Sequence, residues 1–173
     1  MTSERTNGHD EETDTETRKV ARLIRDNRAG MLTTAAPDGT FISRPMAMQE
    51  VEFDGDLWFF AERDSRKMRH IAANPQVNVT VSSASTWVSL TGTAALVDDP
   101  AKKRELWNAF VEAWFPDGKE SANVVLLRVE GESAEYWDTP GGRVASLVSF
   151  VRAKVTGNRY EGGENEKVEL ERS

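Results

Sequence analysis

Cysteine is missing from this chain altogether, so disulfides, thiolate metal sites and a Cys nucleophile are all excluded. Histidine is scarce: His9 and His70 stand far apart in sequence, which argues against a histidine-rich metal site. No apolar run approaches membrane-spanning length, and the polar, acidic start of the chain lacks the apolar stretch of a secretory leader. We therefore expect a cytoplasmic protein with no membrane partner. Positive charge is in deficit, with a formal net charge of −7, and this disfavours nucleic acid as a partner. Neither a Gly-x-Gly-x-x-Gly loop nor a Walker sequence occurs. No histidine sits where it could orient a Ser or Asp nucleophile. If a reaction takes place here, a cofactor carries it.

What is present suits one packed domain. The 173 residues include five Trp and seven Phe, and many apolar side chains fall in regular patterns. Residues 1–14 read as a mobile polar tail carrying His9. From about Thr15 to Arg28, Val20, Leu23 and Ile24 share a helical stripe, with Gly30 as its expected stop. Strands follow at Met31–Ala35 and Thr40–Met48 around a Pro37-Asp38-Gly39 turn, then Glu50–Phe53 and Leu57–Ala61 around Asp54-Gly55. Ser65 opens a short helix that ends at Asn74-Pro75, and His70 within it reads as a surface or half-buried residue. Val77, Val79 and Val81 alternate as in a strand, and Trp87–Val97 is a further strand with a bulge expected at Gly92. Asp98 or Asp99 caps a second helix with Pro100 at its first position. Trp107, Phe110, Val111 and Trp114 give that helix an apolar face, read as core. Asn123–Val129 and Ser133–Trp137 look like a closing hairpin, and Val144–Lys154 fits either a helix or a strand. A polar extension, 157–173, holds one ordered patch at Val168-Glu169-Leu170. About seven short strands with turns between them suggest a mainly β, antiparallel barrel with flanking helices.

Four clusters could carry chemistry. Ser65-Arg66-Lys67 adds a hydroxyl, a guanidinium and an ammonium to a helix N-terminus, where backbone N–H groups already favour an anion. Arg63 and Arg69 extend this basic island. Ser43-Arg44-Pro45-Met46 places a cation and a proline inside an apolar strand, which must therefore bulge or lie at an edge. Trp137, followed by Arg143, can offer a flat stacking surface. Trp58-Phe59-Phe60 reads as core or interface, with Phe60 toward whichever pocket exists, and Met46 and Met48 most simply as core.

In order and spacing these clusters resemble the pyridoxamine 5′-phosphate oxidase-like family of FMN-binding split barrels, in its general stress protein 26-like branch. The likeness runs through Met31-Leu32-Thr33-Thr34, Asp38-Gly39, Gly92-Thr93-Ala94, Glu135-Tyr136-Trp137, Pro140-Gly141-Gly142-Arg143 and the Thr156-Gly157 stretch as well. It implies a split-barrel flavin-binding domain over 15–156 and a homodimer with the cofactor at the interface. Carried over position by position, Arg44, Ser65, Arg66 and Lys67 match residues that hold the FMN phosphate. Pro45 and Met46 match backbone positions beside the flavin ring, and Phe60 and Ala61 the strand end lining it. Trp137 corresponds to a tryptophan that reaches the flavin from the partner subunit, Trp87 replaces a glutamine common near it, and Arg143 matches an arginine near the active face.

The departures from the true oxidases lie on the substrate side. A lysine five residues after the strand arginine is Gln49 here, and the helix Lys103–Ala109 lacks the expected substrate-phosphate Tyr and Arg. The resemblance thus implies a flavin-dependent oxidoreductase for an unknown small molecule rather than vitamin B6 oxidation. A non-catalytic flavin sensor, or use of FAD or the deazaflavin F420 in place of FMN, are the alternatives.

Overall fold

Alternation of inward and outward side chains builds most of this chain into one antiparallel sheet. The computed structural model describes residues 18–49, 55–138 and 164–169. Along them lie α1 (18–25), β1 (Ala29–Ala35), β2 (Phe41–Ala47), β3 (Asp56–Glu62), α2 (Arg66–Ala73), β4 (Gln76–Ser82) and β5 (Thr86–Val97). There follow α3 (Pro100–Leu106), α4 (Ala109–Trp114), β6 (Val124–Asp138) and β7 (Glu164–Glu169). The strand order is β2-β1-β4-β5-β6-β3, with β7 also paired to β6. The sheet curls into a half-barrel, and its two ends meet where the Gln49 N–H donates to the Trp58 carbonyl at 3.0 Å.

The core follows from the strand period. Leu57, Phe59 and Ala61 of β3 join Val125, Leu127 and Val129 of β6, the three valines of β4, and Val20, Leu23 and Ile24 of α1 in the main cluster. Trp58 and Phe60 face the other way, onto a second cluster with Leu106, Val111, Val124 and Leu126 beneath α3 and α4. Both faces of β3 and β6 are therefore covered, which is why Trp58-Phe59-Phe60 is continuously apolar rather than alternating. Burying each such large side chain contributes about 1.5–3 kcal/mol before ordering entropy is subtracted.

Several expectations needed correction. Gly30 does not stop α1; it is the second residue of β1, and an added methyl there would crowd Val79 Cγ1 at 3.1 Å and the Thr80 carbonyl at 3.2 Å. The hairpin expected over 123–137 is a single long strand, β6. Its middle, Gly131, pairs with Gly92, where β5 shifts register and an added methyl would collide with the Glu130 carbonyl. The two strands bend together there instead of turning back. The helix after Pro100 is broken at Trp107: Asp99 caps α3, and Asn108 caps α4 through Oδ1 bonds from Phe110 N and Val111 N at 3.0 and 3.1 Å. The break changes the helical phase, so Val111 is buried while Phe110 and Trp114 are 58% and 71% exposed. The C-terminal patch extends further forward than 168, forming β7 against the second half of β6. The strand expected at Glu50–Phe53, the element expected at Val144–Lys154, the 1–14 tail and Arg143 lie outside the described residues.

Candidate functional site

Pro45 has no N–H to give a ladder, and β2 is an edge strand paired among the described strands to β1 alone. Arg44 lies opposite fully buried Leu32, so its side chain leans toward the inner face of the sheet. There Arg44 Nη1 donates to Thr34 Oγ1 at 3.0 Å, and Thr34 Oγ1 lies 3.1 Å from His70 Nδ1. The Thr34 hydroxyl thus stands between the Arg44 guanidinium and the His70 ring, touching both within hydrogen-bond distance. Both Thr34 and His70 are buried. His70 is thus not a surface residue: the apolar stripe of α2 carries it inward together with Met68 and Ile71.

Ser65 is the N-cap of α2 in extended backbone, yet its side chain caps nothing. The helix instead takes the Ser65 carbonyl, which accepts from Met68 N and Arg69 N at 3.1 and 3.2 Å. Ser65 Oγ and Arg44 Nη2 are the two buried side-chain polar atoms without a partner among the described residues. Native proteins rarely leave such groups unsatisfied. Next to them, Arg66 and Lys67 crowd the same corner. Burial first, and then the nearby Arg66, push the Arg44 guanidinium below its ordinary value. Burial likewise lowers Lys67, opposed by Glu62 and reinforced by Arg44. Arg44, Arg66 and Lys67 gather positive charge around two buried polar atoms without a partner among the described residues, with Glu62 offsetting part of it at Lys67, and together they can form an anion cradle.

A cavity of about 400 Å³ opens beside this cradle, lined by Pro45, Met46, Phe60, Glu62 and Lys67, with Phe110 and Trp114 on the α4 side. Phe60 is held edge-on against Trp107, ring centroids 5.4 Å apart, and tilted against Phe115 at 6.2 Å. A second cavity of about 590 Å³ shares Ala29, Ala47, Gln49 and Phe110 with the first.

The structure therefore brings Arg44, Ser65, Arg66 and Lys67 together, and sets Pro45, Met46 and Phe60 on the adjoining cavity. Ala61 turns its methyl into the main core and does not line that cavity. Trp87 and Trp137 are direct cross-strand partners on β5 and β6, and neither lines it within one chain. The basic island also splits. Arg63 binds Asp98 at 2.8 Å and the Ala122 carbonyl at 3.1 Å, Arg69 binds the Asp64 carbonyl at 2.6 Å, and both line a separate groove. From sequence, His70 reads only as a surface or half-buried residue and Thr34 only as part of a motif, and neither they nor Asn108 take a role at the site. Strand alternation places Thr34 inward, but only the fold reveals what it touches.

The family profile described as pyridoxamine 5′-phosphate oxidase like matches residues 15–161. The chain belongs to this family. Within the pyridoxamine 5′-phosphate oxidase-like proteins it is general stress protein 26-like. A crystal structure of a protein from Jannaschia sp. CCS1, assigned as a general stress protein 26, superposes with a TM-score of 0.71 at 26% identity, covering 90% of this chain and 99% of that one. The general stress FMN/FAD binding protein of Xanthomonas citri is 30% identical over 69% of this chain and 86% of its own, with a TM-score of 0.61. Protein bli-3 of Neurospora crassa is 27% identical over 150 residues, covering 80% of this chain and 72% of its own length.

Proposed function

We propose that this family member binds FMN and serves as a flavin-dependent oxidoreductase for a small molecule. The observation that carries the reading is the pair of orphaned buried atoms, Arg44 Nη2 and Ser65 Oγ, beside Arg66 and Lys67. One hydroxyl and three cations at a helix N-terminus suit a phosphate monoester, which carries close to two negative charges near neutral pH. The mainly apolar cavity next to it, walled by Met46 and Phe60, suits a flat ring. The Xanthomonas citri relative, described as FMN/FAD binding, supports the same assignment.

In this reading Arg44, Ser65, Arg66 and Lys67 hold the phosphate, while Pro45, Met46 and Phe60 orient the ring and keep water from one side. Bound flavin would supply the hydride or electron transfer that the protein's own side chains do not. The working unit is a homodimer: Phe110 and Trp114 stand exposed on the cavity rim, where a second copy would cover them and bring its own Trp137 near.

Purification followed by an absorbance spectrum and the mass of any released ligand tests the proposal and separates FMN from FAD and F420. Replacing Arg66 and Lys67 together by Ala removes two charged hydrogen bonds at about 1.5–3 kcal/mol each, so the Kd for FMN should rise at least about a hundredfold. Unchanged affinity in a folded double variant removes the phosphate assignment.

A further inference from the structure

Asn108 and Gln49 together fix which end of an amide faces the second cavity. Asn108 Oδ1 accepts from two backbone N–H groups of α4, so the assignment of its oxygen is forced by the helix cap. Its Nδ2 must then donate, and it does so to Gln49 Oε1 at 3.0 Å and to the Leu106 carbonyl at 3.3 Å. With its oxygen committed to Asn108, Gln49 is left with Nε2, which has no partner among the described residues. The main chain of Gln49 cannot easily drift, because its N–H is bonded to the Trp58 carbonyl at 3.0 Å. Gln49 lines both cavities, and is one of the few polar groups on their shared wall.

We infer that Gln49 is the specificity-determining residue of the substrate side, offering an uncharged N–H donor to a flat, neutral carbonyl compound. A neutral amide donor pairs with a carbonyl oxygen without having to neutralise charge. The other groups on the larger cavity point the same way. Glu105 is ion-paired with Lys102 at 2.9 Å and Arg28 also has a partner, so neither is left to meet a charged ligand, while Trp107 and Phe110 supply aromatic surface. A phosphorylated substrate would meet no free cation among the described residues of that wall. The inference rests on the flavin reading only in placing this second cavity next to the cofactor's.

The test is equilibrium binding of two probes, menadione (a neutral quinone) and pyridoxal 5′-phosphate, to protein with and without FMN. With FMN filling the phosphate cradle, the wild type should bind menadione more tightly than pyridoxal 5′-phosphate. Gln49→Leu removes one neutral hydrogen bond and should weaken menadione roughly three- to tenfold, in flavin-free and FMN-loaded protein alike. Gln49→Lys should shift the preference toward pyridoxal 5′-phosphate. Asn108→Asp is the decisive variant, since Asp caps a helix as well as Asn does. The new carboxylate would draw Gln49 Nε2 toward itself and turn Oε1 to the cavity, so menadione should weaken as in Gln49→Leu; the helix stays capped, and the melting temperature should fall only slightly, through loss of the 3.3 Å bond to the Leu106 carbonyl. Wild-type menadione affinity in Gln49→Leu or in Asn108→Asp, or tighter binding of pyridoxal 5′-phosphate by the FMN-loaded wild type, overturns the assignment. If FMN fails to bind the wild type, the flavin reading falls, and the menadione titration of flavin-free protein still decides the role of Gln49.

Discussion

Thr34→Val changes almost no volume and removes the one oxygen that links Arg44 to His70. Two bonds are lost: a charged one from Arg44 Nη1 at 3.0 Å and a neutral one to His70 Nδ1 at 3.1 Å. A charged hydrogen bond is worth about 1.5–3 kcal/mol and a neutral one about 0.5–1.5, so the fold should lose about 2–4.5 kcal/mol. The loss falls toward the lower end if half-buried Arg44 swings to water. For a chain of this size, each kcal/mol moves Tm by about 2–4 °C. Calorimetry should therefore show Tm lower by about 4–18 °C, and FMN titration a weaker Kd, because Arg44 would no longer be held toward the cradle. Thr34→Ser, which keeps the hydroxyl, should restore most of both. A Thr34→Val protein within about 0.5 kcal/mol of wild type and with unchanged FMN affinity would refute the idea that this hydroxyl positions Arg44.

The remaining expectations concern charge, backbone and surface. Lys67 is lowered from an ordinary 10.5 mainly by burial. The empty fold thus carries a cost of charge that is relieved as pH rises through the lowered value. FMN affinity, which depends on that charge, should fade with rising alkaline pH before a free lysine would titrate, and Lys67→Ala should flatten this slope in a fluorescence titration. Gly92→Ala places a methyl against the Glu130 carbonyl and should cost about 3 kcal/mol or more, read by urea unfolding. Replacing Phe110 and Trp114 together by Ser should shift sedimentation toward monomer with little loss of monomer stability; an unchanged sedimentation coefficient would count against the dimer face.

Local chemistry made much of the fold legible. Gly92 announced its bulge because glycine inside an apolar strand has few other uses. Pro45 announced an edge, and Asp99-Pro100 announced a helix start. What stayed hidden depended on distant partners. Gly131-Glu132-Ser133 has the composition of a turn, and only its pairing with the Gly92 bend keeps β6 running straight through. His70 looked like a surface or half-buried residue because the hydrogen-bond partner that makes its burial tolerable is Thr34, thirty-six positions earlier. Asn108 looked like one more polar residue on an amphipathic helix, although it ends the uncertainty by capping a new one. At the candidate site, residue type located the basic triplet. Sequence could not show that Ser65 Oγ forgoes its usual capping bond and stays open.

The pairing of β7 has a consequence for the far end of the molecule. The first half of β6 is flanked by β3 and its second half, Ser133–Asp138, by β7, so two segments remote in sequence share one side of a single strand. A chain clipped ahead of Glu164 would leave that stretch, Trp137 included, as a bare run of main-chain donors and acceptors. Bare strands of this kind recruit further strands from other molecules. Glu164–Glu169 thus act as a hem that keeps the tryptophan's strand from pairing with other molecules.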